Sequence, residues 1–246
     1  PHQGQGGDKG FNSKIWDVKI LEEENNVILK LYTKSLDMEE NYPGNLDLCV
    51  TFKIYEYYKI EQTYEAISDK TTLVNMTNHS YFNLSGNIKR PITDEYLKVD
   101  CDYILELDET CVPTGKKISV ENTPFDFTKE MLIGERIDDN NKQIQIGCGY
   151  DHAFILNDTK NQIKLNDIIS GRNMIIDTDQ DCVVIYSMNF PDDVELYNGN
   201  KTQRRYGICF ETQAAPIGRN MCFIEASLLD KGEKYIQKTI YKFFVS

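Results

Sequence analysis

Between residues 46 and 54 apolar and polar side chains alternate without a break, with Leu46, Leu48, Val50, Phe52 and Ile54 on one side and Asp47, Cys49, Thr51 and Lys53 on the other. Only an extended chain places every second residue on the same side, so this stretch predicts a half-buried β-strand. Short apolar or β-branched runs recur at 27–33, 64–68, 96–99, 152–156, 162–165, 174–177, 183–186, 207–211 and 239–245, and turn residues such as Tyr42-Pro43-Gly44-Asn45 separate them. With 15 tyrosines and 11 phenylalanines to fill the space between layers, the chain is expected to be all-β: a large sandwich of antiparallel sheets with few short helices. The run at 239–245 is expected to pair in the core sheet. One short helix is expected around residues 129–136, with Thr128 as its cap and Met131, Leu132 and Ile137 facing inward. No repeat or low-complexity linker divides residues 1–246, a length that one all-β domain can fill.

Composition narrows the classes of partner. No apolar run approaches the length a bilayer requires, so no membrane span is expected. Thirty-nine acidic residues face 27 basic ones, and basic residues gather no further than isolated pairs such as Arg204-Arg205, which argues against nucleic acid. Cysteines 49, 101, 111, 148, 182, 209 and 222 are odd in number, scattered and without a CxxC pair. They predict reduced, mostly buried thiols and a cytoplasmic location, the three formal sequons at Asn75, Asn78 and Asn83 weighing little against this. Asp177, Asp179 and Asp181 imitate the opening of a calcium loop, but Cys182 replaces the turn glycine and Met188 the bidentate glutamate. Gly4, Gly6 and Gly7 lack the Gly-Lys-Ser/Thr that a phosphate loop needs. Neither a metal nor a cofactor is expected.

Three segments carry residues suited to proton transfer. His79 sits in the polar, aromatic run 75–84 after Leu73 and Val74, and imidazole exchanges protons near neutral pH without a large shift. In Gly149-Tyr150-Asp151-His152, a glycine-bounded turn delivers an acid and an imidazole to a strand; alternation sends them to opposite sides, so only one reaches a shared site, and a turn-capping aspartate is the competing account. Glu211 follows Ile208, Cys209 and Phe210, which would partly desolvate its carboxyl, although a solvent-facing position on an alternating strand fits as well.

Taken in order, several motifs resemble the aldose 1-epimerase family along almost the whole chain. They are Gly6-Gly7-Asp8-Lys9-Gly10-Phe11 with Trp16, then Asp37 through Asn45, then Asn75 through Leu84. Next come Asp108-Glu109-Thr110 with Pro113-Thr114-Gly115, Gly149 through His152, Ser170-Gly171-Arg172 and Glu211-Thr212-Gln213. The ending, Leu228-Leu229 with Gly232-Glu233, Tyr235 and Thr239, is similar too. The resemblance implies a galactose-mutarotase-like supersandwich and a cofactor-free sugar anomerase, with Glu211 as base at the C1 hydroxyl, His79 as acid at the ring oxygen and Asp151 as a sugar-hydroxyl ligand.

The chain departs from the family pattern at identifiable places. Gln5 stands where the first motif has a sugar-binding histidine, and His2 lies three residues earlier; both are candidate sugar ligands, as are Asn78 and Tyr81 beside His79. Val184 stands where the family has a glutamine, and the strands and arginine that normally precede the first motif are missing from this sequence. Two neighbouring functions are compatible with the same resemblance: a non-catalytic hexose-binding or regulatory protein, and a hexose-6-phosphate 1-epimerase, for which basic residues near the motifs are sparse. A glycoside hydrolase using Asp151 and Glu211 ranks behind both.

Overall fold

The computed structural model describes residues 6–157, 160–197 and 199–246. Its first strands are β1 (Asp17–Glu23), β2 (Asn26–Ser35), β3 (Leu46–Tyr55), β4 (Lys59–Ser68) and the two-residue pieces β5 (Thr72–Leu73) and β6 (Tyr81–Phe82). There follow β7 (Tyr96–Val99), β8 (Cys101–Leu107), β9 (Pro113–Ser119), β10 (Met131–Leu132), α1 (Lys142–Gly147), the one α-helix among the described residues, and β11 (Asp151–Leu156). The remainder is β12 (Ile163–Asp167), β13 (Arg172–Thr178), β14 (Cys182–Tyr186), β15 (Ile208–Gln213), β16 (Leu228–Leu229) and β17 (Lys234–Val245).

Nine strands form one sheet in the order β1-β2-β3-β4-β17-β13-β12-β7-β10, and six form a second in the order β6-β15-β14-β11-β8-β9. The all-β sandwich expected from the alternation is present. β17 sits at the centre of the larger sheet, pairing antiparallel with β4 and β13, as expected for 239–245, and it begins earlier, at Lys234. On β3, Leu46, Leu48 and Val50 are buried, and burial fades toward the β3–β4 turn, where Ile54 is exposed.

The main core lies between the sheets. Leu97, Val99, Ile163, Leu165, Met174, Ile176 and Tyr241 come from the larger sheet, and Ile104, Phe154, Val183, Ile185, Ile208 and Phe210 from the smaller. Each fully buried side chain of this size contributes about 1.5–3 kcal/mol, so the sandwich faces hold most of the fold's apolar stabilisation. Among the described residues no helix is long and apolar enough to cross a membrane.

The helix expected around residues 129–136 is absent. Met131 and Leu132 instead extend the sheet edge against Leu97 and Tyr96, and a 3-10 turn follows at Ile133–Glu135. Thr128 turns its hydroxyl to Asp126 rather than capping a helix. The helical period is not sustained here, and Gly134 lies so close to Thr93 that a Cβ would meet its carbonyl oxygen at 2.7 Å. The real helix, α1, starts where the Asn141 side chain accepts from the Gln143 amide at 2.9 Å and ends at Cys148 in the left-handed region. Buried Gln143 docks it on β8 by accepting from Leu107 N at 2.8 Å and donating to Leu107 O at 3.0 Å.

One buried acid gives the fold a pH dependence. Glu95 is fully buried, accepts from Leu84 N at 2.8 Å through Oε1, and has Oε2 unpartnered among the described groups. Burial pushes its carboxyl up to about 8, and the nearby negative charge of Asp167 adds to this against the Leu84 amide. The folded protein therefore keeps a proton that the unfolded chain releases near 4.5, and stability falls as pH rises through this window. Buried His152, pushed down to about 3, acts in the opposite direction below about 6.5. Above that pH the Glu95 slope stands alone of the two. Urea unfolding between pH 6.5 and 8 is expected to show stability declining by at most about 1.4 kcal/mol per pH unit, and Glu95→Gln should flatten the decline; an equal slope in the variant would assign it elsewhere.

Candidate active site

Alternation along β15 sends Ile208, Phe210 and Thr212 toward the larger sheet and Cys209, Glu211 and Gln213 to the other face. Residues paired directly across an antiparallel ladder project on the same side. Tyr81 on β6, Cys209 on β15, Tyr186 on β14 and Asp151 on β11 are such partners, so they form one row across the smaller sheet. Glu211, Val184 and Ala153 form the next row. A close approach makes the first row possible: at Gly207, just before β15, a Cβ would lie 2.9 Å from Tyr81 Cδ1.

The same alternation separates Asp151 from His152, as expected. His152 enters the core, its ring centroid 4.7 Å from that of Phe125 and its Nε2 3.3 Å from Gln143 Oε1. Burial pushes its pKa down to about 3, so it stays neutral and structural. Asp151 stays on the site face, half-buried, and its carboxyl is pushed up to about 6 by desolvation, with His79 opposing the shift.

His79 arrives from a segment that closes the edge of β15. β6 pairs only with Ile208 and Cys209. Beyond that point side chains replace the ladder: Asn75 donates to Ala214 O at 3.1 Å and accepts from Ala214 N at 3.0 Å, and Thr77 Oγ1 donates to Thr212 O at 3.1 Å. The polarity of residues 75–80 is thus a backbone requirement. Asn78 turns its amide inward, donating to Gln62 Oε1 at 3.0 Å, and accepts from Ser80 N at 2.7 Å, a tight turn that presents His79. Behind it, buried Gln237 donates to Thr212 O at 2.6 Å and accepts from the Tyr235 hydroxyl at 2.5 Å. Thr212 and Thr239 share a hydroxyl contact of 2.6 Å.

His79 Nε2 lies 3.3 Å from Glu211 Oε1, the histidine side chain 34% exposed and the glutamate 7%. The ring centroids of Tyr81 and Tyr186 lie 5.1 and 5.9 Å from that of His79. A buried carboxylate in contact with a reachable imidazole can take one proton and give another in the same encounter. Of the residues predicted from sequence, the structure brings together His79, Tyr81, Asp151 and Glu211; Asn78 adjoins them with its amide directed away. His2 and Gln5 lie outside the described residues.

The aldose 1-epimerase family model matches residues 1–242. The chain belongs to the aldose 1-epimerase family. It is 34% identical over 250 residues to the galactose mutarotase of Homo sapiens, covering 100% of this chain and 70% of that one. It is 30% identical over 253 residues to the aldose 1-epimerase of Streptococcus thermophilus, covering 98% and 69%. The solved structure of galactose 1-epimerase from Lactobacillus acidophilus superposes with a TM-score of 0.87 at 30% identity, covering 98% of this chain and 69% of that chain.

Two residues of the row beside His79 and Glu211 escaped the sequence reading. Tyr186 and Cys209 join it only through the register of β14 and β15, which no local pattern discloses. Val184, noted as a departure, proves to be the ladder partner of Glu211, placing an apolar side chain beside the carboxylate. Gln237→Leu would leave the Thr212 carbonyl and the Tyr235 hydroxyl each without this partner. Denaturant titration is expected to show a loss of about 1–3 kcal/mol; an unchanged midpoint would mean the polar seam does not hold the segment in place.

Proposed function

We propose that this chain interconverts the α and β anomers of an aldohexose such as glucose or galactose by acid–base ring opening. The observation that carries the reading is the 3.3 Å contact between His79 Nε2 and Glu211 Oε1, with its two different degrees of exposure. The Glu211 carboxylate accepts the proton of the C1 hydroxyl, and the electron pair left on that oxygen forms the carbonyl. The bond from C1 to the ring oxygen breaks, and the ring oxygen takes a proton from His79. Rotation about C1–C2 and reversal of both transfers close the ring on the other face. Protons move in opposite directions at the two oxygens, so the step needs no net acid or base, and each placed group supplies roughly 10²–10⁴ in rate.

Asp151 is assigned to accept hydrogen bonds from sugar hydroxyls, with Tyr81 and Tyr186 as aromatic walls. Gln5 and His2 are proposed as further sugar ligands, and Asn78 as a neighbour that shapes the His79 turn. Seven free cysteines, several of them buried, support a reducing, cytoplasmic setting.

Polarimetry of freshly dissolved α-D-glucose and α-D-galactose tests the reading. Acceleration toward anomeric equilibrium is expected, with Glu211→Gln and His79→Asn each lowering kcat by about 10²–10⁴; a fully active Glu211→Gln enzyme would sink the mechanism. Because the Asp151 carboxyl is pushed up to about 6, it loses its charge as pH falls through that value. KM is therefore expected to rise below pH 6 and to lose this rise in Asp151→Asn. The same rise in the variant would remove Asp151 from sugar binding.

A further inference from the structure

The Nδ1 side of His79 has its own partner, which the transfers above do not employ. Cys209 is buried in β15 with Sγ 3.3 Å from His79 Nδ1 and 3.8 Å from the His79 main-chain oxygen. A thiol carries one hydrogen. With that hydrogen on the carbonyl oxygen, sulfur lone pairs face the ring and Nδ1 supplies the hydrogen of the Sγ···Nδ1 contact; with it on Nδ1 the contact runs the other way, so its direction and the ring tautomer are one question. Tyr81, Tyr186 and Asp151 approach the ring from β6, β14 and β11, and Glu211 meets Nε2, but the contact at Nδ1 is the thiol's.

We propose that Cys209 is a positioning residue that holds His79 as its Nδ1–H tautomer, leaving Nε2, which faces Glu211, as the nitrogen that gains and loses the proton. This rests on the epimerase reading for its purpose, though its geometry stands apart from it. With Nδ1–H fixed, release of the Nε2 proton takes His79 from imidazolium to neutral imidazole. With Nδ1 bare, the same release would demand an imidazolate, which is out of reach near neutral pH. Burial, reinforced by the neighbouring Glu211 and Asp151 carboxylates, pushes ionisation of the Cys209 thiol far above its ordinary value, so the S–H donor persists.

Only three histidines occur, so protein labelled with ¹⁵N-histidine gives readable ring-nitrogen resonances. In the wild type, neutral His79 is expected to show a protonated Nδ1 and a bare Nε2. Cys209→Ser, which keeps a group able to donate and accept, should retain that signature, and Cys209→Ala should give a mixture of tautomers. In polarimetric assays Cys209→Ala is expected to lower kcat roughly 10–100-fold and to move the alkaline limb of the pH profile to lower pH, with KM little changed and Cys209→Ser recovering most of the rate. A wild-type spectrum with the proton on Nε2 would overturn the proposal, as would a folded Cys209→Ala with unchanged spectrum and kcat. If Cys209→Ala does not fold, the wild-type and Cys209→Ser spectra still decide. The spectra need no turnover, so a protein that fails to accelerate mutarotation would overturn the proposed reaction while leaving the tautomer result to stand or fall by itself.

Discussion

His79 faces Glu211 because the edge of β15 is finished by side chains where β6 stops. A strand edge has carbonyl and amide groups that must find partners when buried. A longer β6 would satisfy them, but its residues would follow the sheet pleat and present alternate side chains at fixed spacing. Asn75 and Thr77 satisfy the Thr212 and Ala214 backbone instead, which frees the chain to turn at Asn78 and swing an imidazole over the strand. The catalytic geometry proposed for the pair thus follows from how backbone polarity is met, with the larger sheet supplying Gln62 and Gln237 from behind.

The sheet also sets the dimensions of the site. Strands lie about 4.8 Å apart, so Asp151, two strands from β15, stands about 10 Å across from the Cys209 and Glu211 strand. A ligand ring can occupy the interval, with Tyr186 beneath it from the intervening strand. Within this frame, burial treats the two carboxyls differently. Glu211 is nearly enclosed and touches an imidazole, whereas Asp151 feels desolvation with His79 as its opposing charge. Two acids of similar intrinsic strength acquire distinct surroundings from neighbouring strands of one sheet.

Much of this was legible in the sequence, and the misses have physical causes. Period-two patterns located most strands because those strands bury one face. β1 was missed because all seven of its residues are exposed, leaving burial no pattern to imprint. The helix was misplaced because isolated apolar residues near Met131 imitate a helical face, while the Asn141 cap that starts α1 lies beyond them. The opposition of Asp151 and His152 follows from strand geometry alone and was correctly anticipated. Tyr186 and Cys209 were invisible as site residues because membership of the row is fixed by pairing between strands that only the fold brings together.

That dependence on register explains why so polar a seam is kept in the interior. A one-residue slip of β15 would exchange its faces, sending Glu211 toward the core and Phe210 into the site. Apolar packing opposes the slip, since Ile208 and Phe210 would lose their places in the core. Hydrophobic contact is nevertheless tolerant of small displacements, whereas a hydrogen bond is not. The Thr212 carbonyl is held at once by Gln237 from the larger sheet and by Thr77 from the His79 segment, and the Thr212 hydroxyl meets Thr239. One residue next to the proposed base therefore ties together both sheets and the segment carrying the proposed acid, so that shifting β15 along its axis breaks the contacts that define the site and the fold together.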